Sequence, residues 1–361
     1  MAEPTLEQLR EQIDGLDEQL QGLLNKRAEL AKKVADVKIA TDGDAVFYRP
    51  EREAQVLRQV KARNTGPLDA ETIARLFREI MSACLALEQR LKVAFLGPEG
   101  TFTQQAALKH FGHAVETISL AAIDDVFREV ASGAAHYGVV PVENSTEGVI
   151  NHTLDSFMES PLKICGEVDL RIHHHLMLSE HTQLDKITRI YSHQQTLAQC
   201  RKWLDTNMPR VERIAVSSNA QAARRLKDEW NAAAIAGDIA ADLYDLKILH
   251  RNIEDTPDNT TRFIIIGHEE VPPSGEDKSS LLVRMKNRPG ALYHVLKPFK
   301  DAGVDLTRVE SRPSRSGNWS YVFFIDFEGH RDDENVQAVL AALEREALDV
   351  RLLGSYPRAV L

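Results

Sequence analysis

Hydroxyl and guanidinium groups stand directly before a strongly apolar segment near residue 260. In the stretch DNTTRFIIIG, residues 258–267, Thr261 and Arg262 precede a phenylalanine, three isoleucines and Gly267. Such a run is typical of a buried parallel strand. The hydroxyl can donate a hydrogen bond and the guanidinium can hold a carboxylate, but a capped loop end uses the same residue types. The surroundings of the segment must decide between these two interpretations.

Three further segments place short polar side chains where strands are predicted to end. These are GPEGTFT, 97–103, VPVENSTEG, 140–148, and SHQQ, 192–195. Free backbone N–H groups and the helix dipole attract a carboxylate where a strand leads into a helix, and α/β folds bind ligands at the carboxyl ends of their strands. An ordinary helix cap or loop is the alternative for each segment. The candidate side chains are Thr101, Asn144, Ser145, Thr146, Ser192 and His193.

Two long cations on the first predicted helix could close on one small dianion. Arg27 and Lys38 are eleven residues apart (38 − 27 = 11). At about 100° per residue this spacing returns to nearly the same face of a helix, roughly 16 Å along its axis. Arg10 lies well off that face and cannot join them from the same helix. Solvated surface charge is the alternative for each of these residues.

The composition of the 361-residue chain is that of an ordinary globular protein with two or three domains. A formal net charge of −10 argues against general nucleic-acid binding. No apolar run is long enough to cross a bilayer, and we expect a cytoplasmic protein. The spacing of Cys84, Cys165 and Cys200 predicts core thiols rather than disulfides or a zinc site. Side chains at His173–His175 alternate in direction and no partner carboxylate is spaced to complete a site, so we expect no metal there.

Three helices are predicted at the amino-terminal end. Apolar residues recur at three- and four-residue steps from Thr5 to about Ala40, which indicates one long amphipathic helix. A second helix is expected over about 51–63, and a third after Asp69, which suits an N-cap. Helices of such unequal length cannot bury the first apolar stripe within one chain, so we expect a helical dimer. The stripe consists of Leu6, Leu9, Ile13, Leu16, Leu20, Leu23, Leu30, Val34 and Val37.

The rest of the sequence predicts two parts that combine strands and helices. From Val93 short apolar runs alternate with helical segments, which predicts mostly parallel strands and allows two lobes with a cleft. VPPSGEDKSS, 271–280, has the composition of a linker. Beyond it the predicted order is βαββαβ, the ferredoxin-like arrangement, with a hairpin turn at SRSGN. NRPGALYHVL and ESRP in this last part are candidates for a small-ligand site.

The order of these motifs resembles the family of bifunctional chorismate mutase–prephenate dehydratases. The resemblance rests on the amino-terminal helices, then GPEGTF, ENSTEG and TRF, then GAL and ESRP. It implies an all-α chorismate mutase domain over 1–92, a two-lobed α/β dehydratase domain similar to periplasmic binding proteins over 93–270, and a ferredoxin-like ACT regulatory domain over 279–357. It also implies conversion of chorismate to prephenate and of prephenate to phenylpyruvate, in L-phenylalanine biosynthesis. Feedback inhibition by L-phenylalanine, the absence of a cofactor, and a homodimer or higher homo-oligomer are further implications.

The resemblance implies a chorismate site that is shared between subunits, with Arg10 supplied by the partner. The implied residues are Arg10, Arg27, Lys38, Arg49, Arg52, Glu53, Cys84 and Glu88, with Lys38 and Glu88 as catalytic groups. The pericyclic rearrangement needs no nucleophile, only a compact substrate conformer and stabilisation of the breaking ether bond. Cys84 and Glu88 stand where the family usually has serine and glutamine.

For the dehydratase, the resemblance implies that Thr261 donates a hydrogen bond to the leaving hydroxyl, that Arg262 holds a carboxylate and that Phe263 packs the strand start. The polar residues named above, from Thr101 to His193, would line the other walls of the prephenate site. An ACT pocket for L-phenylalanine at a dimer interface would consist of Asn287, Arg288, Pro289, Gly290, Ala291, Leu292, Glu310, Ser311, Arg312 and Pro313.

Two other functions remain open at this level. Two-lobed α/β folds can bind amino acids without catalysis, and an ACT tail fits a pure sensor. A single-function dehydratase could retain the helical region as a dimerisation element. The first alternative predicts no turnover of prephenate, and the second predicts turnover of prephenate but not of chorismate.

Overall fold

The computed structural model describes residues 4–41, 46–285, 288–313 and 321–361. The amino-terminal helices are α1 Leu6–Thr41, α2 Pro50–Arg63 and α3 Ala70–Glu88. Asp69 caps α3, since its side chain accepts a hydrogen bond from the Thr72 N–H at 2.8 Å. The three predicted helices are therefore confirmed, and each begins within about one residue of its predicted start.

Helix α1 contributes little to the core of a single chain. Ala35 is the residue of this helix that is buried, whereas Leu16 is 58% and Leu23 is 66% exposed. Leaving apolar surface in water costs about 25 cal/mol for each Å², and a long exposed apolar stripe marks a protein interface. The stripe supports the expected pairing of α1 with a second copy.

The central α/β region forms two lobes, and the chain crosses between them twice. The first lobe begins with β1 Lys92–Leu96, α4 Phe102–Phe111, β2 Glu116–Leu120, α5 Ile123–Ala131, β3 Tyr137–Asn144, β4 Gly148–Val149, α6 Asn151–Glu159 and β5 Lys163–Arg171. The second lobe contains β6 His175–Leu178, β7 Arg189–His193, α7 Gln194–Gln199, α8 Arg201–Asn207, β8 Glu212–Val216, α9 Asn219–Arg225, β9 Ala232–Ala236, α10 Asp238–Tyr244 and β10 Lys247–His250. The chain then returns to the first lobe as β11 Thr260–Gly267. The strand orders are β2-β1-β3-β11-β5, with β4 beside β3, and β10-β6-β9-β7-β8.

Strand β11 lies inside the first sheet and runs antiparallel to both of its neighbours, β3 and β5. The prediction of a parallel strand is wrong because burial on both faces, rather than strand direction, produces a continuous apolar run. Phe263 and Ile265 belong to the core on one face, and Ile264 and Ile266 to the core on the other. The two sheets are mixed rather than mostly parallel, since β6 is also antiparallel to β9 and β10.

The carboxyl-terminal region is an antiparallel sheet with two helices. Its elements are β12 Asp277–Met285, α11 Ala291–Asp301, β13 Leu306–Pro313, β14 Tyr321–Glu328, α12 Glu334–Glu346 and β15 Asp349–Pro357, in the strand order β13-β14-β12-β15. This confirms the βαββαβ prediction, whereas the predicted hairpin turn at SRSGN lies outside the described residues. The predicted linker is shorter than 271–280 because β12 begins at Asp277, whose Oδ1 accepts a hydrogen bond from the Ser274 hydroxyl at 2.7 Å.

Other parts of the chain cover both faces of the first-lobe sheet. Apolar side chains of β12, β14 and β15 join the core on one face, and Tyr48 and Leu91 of the helical region join the core on the other. Val360 and Leu361 pack against the core between α2 and α3. The three regions therefore share cores instead of being joined by linkers alone. Across the described ranges of the chain, no helix is long and apolar enough to span a membrane.

Candidate active sites

A hydrogen-bonded cluster surrounds the hydroxyl of Thr261 at the start of β11. Thr261 lies opposite Asn144 of β3, and Asn144 Nδ2 donates to Thr261 Oγ1 and to Asn259 Oδ1, both at 2.8 Å. Asn144 Oδ1 accepts hydrogen bonds from the backbone N–H groups of Thr146 and Glu147 at 2.9 and 3.0 Å, which fixes the orientation of the amide. Within the described residues, Thr261 Oγ1 accepts this hydrogen bond and donates none, so its own proton is available for donation.

The second lobe contacts this cluster through Gln199 at the end of α7. Its Oε1 accepts a hydrogen bond from Asn259 Nδ2 at 3.4 Å, and its Nε2 donates to Glu147 Oε1 at 3.2 Å. His174 Nε2 lies 2.8 Å from Gln199 Oε1. Burial lowers the pKa of His174, although the hydrogen bond to Gln199 opposes this shift. A neutral imidazole that donates through Nε2 fits this arrangement, and polar groups of both lobes meet at one cleft.

Three of the other predicted prephenate-site residues lie at loop ends on the first lobe. Ser145 Oγ accepts a hydrogen bond from the Thr260 N–H at 2.9 Å, and Thr146 Oγ1 donates to Asn259 Oδ1 at 3.3 Å. Thr101 is the N-cap of α4. Ser145 and Thr146 are thus brought together with Thr261, whereas Thr101 is fixed by its capping role at a different strand end.

The remaining predicted residues of this site are held differently. Ser192 is fully buried, and its hydroxyl lies 2.8 Å from the Ile235 carbonyl and 2.9 Å from Asn219 Oδ1, so it is occupied within the second lobe. The His193 N–H donates to the same Asn219 Oδ1 at 3.0 Å, which leaves the partly exposed imidazole of His193 at the strand end. Phe263 is buried in the core of the first lobe.

Arg262 points away from the Thr261 cluster, since successive side chains of a strand lie on opposite faces. Its guanidinium donates to Glu167 Oε2 at 3.0 Å, to Asp326 Oδ2 at 2.6 Å and to Tyr356 Oη at 2.9 Å. Burial would lower the pKa of Arg262, but the three anionic or phenolic partners raise it above the usual value. Arg262 is thus turned away from the Thr261 cluster and engaged by three partners inside the protein, so this placement does not support its expected role as a ligand for a substrate carboxylate.

A cavity of about 330 Å³ lies between the amino-terminal helices. Its lining includes Arg27, Lys38, Arg49, Arg52, Glu53, Cys84 and Glu88. This set has four cations and two carboxylates, which suits a small dianion. Arg10 is not among the lining residues in the described chain, because it precedes Arg27 by seventeen positions (27 − 10 = 17), or about 25 Å along α1.

Lys38 and Glu88 lie on different helices of this cavity. Lys38 Nζ donates to the backbone carbonyls of Val46 and Phe47, each at 3.2 Å. Burial raises the pKa of Glu88, and the charges of Lys38 and Arg27 oppose this shift. Cys84, one helical turn before Glu88, is buried. The Glu88 carboxyl group and the Lys38 ammonium group therefore line the same cavity, where the charge of Lys38 acts on the pKa of Glu88.

Glu53 is held by groups that the sequence analysis missed. Arg78 of α3 forms an ion pair with Glu53, and Tyr48 hydrogen-bonds to the same carboxylate. Tyr48 Oη also lies 2.9 Å from His110 Nε2 of α4. Burial raises the pKa of Glu53, and the charge of Arg78 opposes the shift. Arg49 differs from these buried groups, since its half-exposed side chain pairs with Glu51 at 2.6 Å.

The two predicted parts of the L-phenylalanine pocket lie on different elements. Gly290 is the N-cap of α11 and has a φ of 81°, a left-handed conformation that glycine adopts without steric cost. Ala291 is the first residue of the helix. Leu292 is 44% exposed, the neighbouring Pro289 is exposed, and Arg288 pairs with Glu346 at 2.5 Å. Asn287 lies outside the described residues.

The second part of this pocket belongs to β13, at the edge of the sheet. Ser311 and Pro313 are exposed and Glu310 is partly exposed, whereas Arg312 pairs with Asp155 of α6 at 2.7 Å. In the described part of the chain, no hydrogen bond or ion pair joins 310–313 to 288–292. Within a single chain, residues 288–292 and 310–313 therefore do not form a closed pocket by contacting each other.

The consecutive histidines are used in structural hydrogen bonds. His173 Nδ1 lies 2.8 Å from Glu254 Oε1, and His175 Nε2 lies 3.0 Å from Asp238 Oδ2. These carboxylates are distant in sequence, which is why the sequence analysis did not find them. Among the described residues, no group of His, Cys, Asp and Glu could hold a metal ion. The cysteines are buried thiols.

Two cleft residues that were not predicted, Asn259 and Glu147, could have been found from the sequence. Asn259 directly precedes the TTRF segment, and Glu147 belongs to ENSTEG, so their positions beside the chosen residues were visible. Gln199 had none, because it meets the cluster only when the second lobe folds over the first.

The fold and the two sites define a multidomain enzyme in which a cation-lined helical cavity precedes a two-lobed α/β catalytic region and an ACT-type sheet. Family models match residues 9–89 as chorismate mutase type II, 93–271 as prephenate dehydratase and 279–345 as ACT domain. The chain is 64% identical to a bifunctional chorismate mutase/prephenate dehydratase of Pseudomonas aeruginosa, over 99% of this chain and 98% of that protein. It is 31% identical to the Escherichia coli enzyme of that description, over 97% and 95% of the two chains.

A solved structure of prephenate dehydratase from Arthrobacter aurescens, in complex with L-Phe, is also similar. It matches with a TM-score of 0.69 and 36% identity, over 74% of this chain and 90% of that one. The chain belongs to the family of bifunctional chorismate mutase/prephenate dehydratases, and it is an enzyme of phenylalanine biosynthesis with both activities.

Proposed function

We propose that the chain rearranges chorismate to prephenate in the helical cavity and converts prephenate to phenylpyruvate at the Thr261 cluster. The observation that carries the proposal is the presence in one chain of a cation-lined cavity and of a threonine hydroxyl whose proton is free for donation. This combination supports a bifunctional catalyst over a pure amino-acid sensor.

In the mutase step, Arg27 and Arg52 hold the two carboxylates of chorismate in a compact conformer, and Glu53 binds its hydroxyl. Lys38 and a protonated Glu88 donate hydrogen bonds to the ether oxygen as its bond to carbon breaks and the new carbon–carbon bond forms. No proton is transferred and no covalent intermediate forms. Arg10 of a second copy completes the site, in agreement with its distance from the cavity within one chain.

In the dehydratase step, Thr261 donates a hydrogen bond to the ring hydroxyl of prephenate. The hydroxyl leaves with the electron pair of its C–O bond and takes up a proton from solvent to become water. The ring carboxylate leaves as carbon dioxide, and the electron pair of that bond enters the ring, which becomes aromatic. Asn144 holds Thr261 Oγ1 and increases the polarity of its O–H bond. Because Arg262 is engaged elsewhere and Thr146 Oγ1 donates to Asn259, neutral donors such as Ser145 and backbone N–H groups bind the substrate carboxylates.

L-Phenylalanine inhibits the dehydratase from the ACT region, using residues 287–292 and 310–313. The structure of the Arthrobacter aurescens relative in complex with L-Phe supports this effector. The separation of the two segments within one chain supports a pocket completed by a second copy. Occupancy stabilises an arrangement with lower dehydratase activity.

A single assay tests the proposal against its alternatives. Purified protein receives chorismate, and the loss of chorismate and the formation of phenylpyruvate are followed together, with and without L-phenylalanine. The proposal expects both reactions, and inhibition of phenylpyruvate formation. No turnover of prephenate would indicate a sensor, and turnover of added prephenate without loss of chorismate would indicate a single-function dehydratase.

A further inference from the structure

The residues next to the Asn144–Thr261 pair point to the opposite face of the sheet, where the ACT region lies. In the pairing of β3 with β11, Glu143 lies opposite Arg262. Since side chains alternate along a strand, each strand presents one residue to the catalytic cleft and the next residue to the ACT sheet. The two polar residues of the cleft thus share their backbone with two charged residues of the domain interface.

Glu143 and Arg262 both contact charged residues of the ACT sheet. Arg262 Nη1 lies 2.6 Å from Asp326 Oδ2 of β14. Arg308 of β13 lies between the two acids, with Nε 3.4 Å from Glu143 Oε2 and Nη1 3.8 Å from Asp326 Oδ2. Ser280 Oγ donates to Asp326 Oδ1 at 2.6 Å. We define these four ionic groups, Glu143, Arg262, Arg308 and Asp326, as the interface network.

Three of the four groups of the interface network are largely shielded from water, whereas the Glu143 side chain is 39% exposed. The side chains of Arg262, Asp326 and Arg308 are 13%, 7% and 9% exposed. A buried ion pair that loses one partner leaves an uncompensated charge, which is strongly destabilising. Arg262, Asp326 and Arg308 can therefore change only by exchanging partners, which favours a few discrete arrangements of these three groups over gradual adjustment.

Arg308 is the least constrained member of the interface network. Its contacts with Glu143 and Asp326, at 3.4 and 3.8 Å, are longer than a good hydrogen bond. Within the described residues, its Nη2 is buried and has no hydrogen-bond partner. A small displacement of β13 could therefore move this guanidinium fully onto either carboxylate, and each choice would change the charge that Glu143 and Arg262 experience.

Arg308 is also close in sequence to the candidate effector segment. It precedes Glu310 by two residues on β13 (310 − 308 = 2), so both side chains lie on the same face of the strand. Arg312, two residues further, extends this face to Asp155 of α6. The strand that carries ESRP therefore contacts the catalytic lobe along its length.

We propose that Arg308 and Asp326 couple the effector segment of β13 to the dehydratase site, with Glu143 and Arg262 as positioning residues for Asn144 and Thr261. This inference rests on the proposed function. When β13 moves on ligand binding, Arg308 changes partner, the backbone of β3 and β11 adjusts, and the 2.8 Å hydrogen bond from Asn144 to Thr261 is weakened. Arg262 acts through its neighbour and does not touch the substrate.

The test compares Arg308→Gln with the matched control Arg331→Gln in the full-length protein. Arg331 also forms an interdomain ion pair, with Glu270 at 2.6 Å, but it is not attached to the strands of the site. We expect Arg308→Gln to raise the L-phenylalanine concentration for half-inhibition of the dehydratase about tenfold, within the usual range of allosteric coupling. Its KM for prephenate and its mutase turnover should remain near the wild-type values. Arg331→Gln should be inhibited like the wild type.

Binding of L-phenylalanine, measured by calorimetry, separates lost coupling from a lost effector site. The inference expects Arg308→Gln to bind L-phenylalanine while responding to it less, and Arg308→Lys to recover part of the response because it keeps the charge. Asp326→Asn is a second variant, in which dehydratase kcat should fall about tenfold with little change in KM. Mutase turnover in the same chain reports correct folding.

The outcomes distinguish this inference from the proposed function. A wild type that is not inhibited by L-phenylalanine would overturn the proposed regulation. A normally inhibited wild type, together with Arg308→Gln and Asp326→Asn variants that are inhibited equally and turn over prephenate normally, would overturn the coupling and leave the proposed function in place.

Discussion

Thr261 is the residue on which the dehydratase proposal depends. We expect Thr261→Ala to lower phenylpyruvate formation from prephenate by about a hundredfold or more, the usual effect of removing one aligned donor at a developing charge. Chorismate loss should continue at the wild-type rate, because the helical cavity lies in another part of the chain. Following both reactions in one sample measures this difference.

Thr261→Ser is the matched control, since it keeps the hydroxyl that Asn144 orients. It should retain far more dehydratase activity than the alanine variant. If the alanine and serine variants are equally impaired, the methyl group rather than the hydroxyl is important and the proposed role is wrong. Equal loss of both enzyme activities in a folded alanine variant would also contradict it.

We expect the protonation state of Glu88 to make the rate of the mutase reaction depend on pH. Burial raises the pKa of its carboxyl group, with Lys38 and Arg27 in opposition. The protonated form can donate to the ether oxygen, whereas the ionised form repels the charge that develops there. Activity should therefore be full below the folded-state pKa of Glu88 and should fall as the pH rises through it.

The comparison that tests this prediction is mutase turnover against pH for the wild type and for Glu88→Gln. The amide cannot ionise but can still donate, so the substitution should flatten the fall on the alkaline side. A glutamine variant that keeps the wild-type profile would remove Glu88 from the mechanism.

At the scale of single residues, sequence patterns identify the ends of strands better than the directions of side chains. Asn144 and Thr261 follow from polar residues beside apolar runs, and the structure brings them into contact. The family motif implies that Arg262 binds a substrate carboxylate, whereas strand alternation turns its side chain toward Asp326. No sequence pattern identifies Arg78 as a residue of the site, because an arginine on a helix usually indicates a solvated face. Only tertiary packing reveals its ion pair with Glu53.

At the scale of elements, helix α1 leads us to expect a mutase site that is shared between two subunits. Its stripe is exposed in a single chain, and Arg10 lies far along the helix from the cavity that it is expected to complete. We expect Arg10→Ala and Lys38→Ala to be inactive as mutases when separate. Mixing the two variants under conditions of subunit exchange should restore part of the activity, because one site of a mixed dimer contains both wild-type residues.

Dehydratase turnover serves as the internal control for this mixing experiment, since neither substitution is near Thr261. Native mass spectrometry of differently labelled subunits establishes whether exchange has occurred. Proven exchange without any recovery of mutase activity would rule out a site shared between subunits.

The type of each element could be read from the sequence more easily than its direction. Periodicity located α1, α2 and α3 because a helix that buries one face repeats its apolar residues at a fixed interval. The same kind of reasoning failed for the direction of β11, since a strand buried on both faces is apolar throughout whichever way it runs. The direction of a strand depends on the side from which the chain enters the sheet. Here the chain enters the first-lobe sheet as β11 after leaving the second lobe.

At the scale of the whole molecule, the last residues of the chain hold the helical region against the rest. Val360 and Leu361 pack with Leu57, Ala74 and Met81, and Lys61 Nζ donates to the Val360 carbonyl at 3.0 Å. We expect the double substitution Val360→Ala and Leu361→Ala to lower the free energy of unfolding by about 2 kcal/mol, from the apolar area that it exposes. Thermal unfolding of the full-length protein measures the change.

Arg358→Gln is the control for the tail variant, because it removes a half-exposed ion pair with Glu328 and should change stability by less than about 1 kcal/mol. A tail variant that unfolds at the same temperature as this control would show that the contacts at 360–361 add nothing measurable.

The packing of residues 358–361, the tail, also limits which segments of this protein can be exchanged for those of a relative. A chimera that takes its helical region from a relative would place foreign side chains around residues 360–361, which are far from that region in sequence. The Arg58 guanidinium, which donates to the Ser274 carbonyl at 3.1 Å and to the Glu276 carbonyl at 2.8 Å, adds a second junction of this kind. Exchange at the single boundary between α3 and β1 should therefore give poorly folded hybrids, and exchange of the helices together with 274–276 and 358–361 should give better ones.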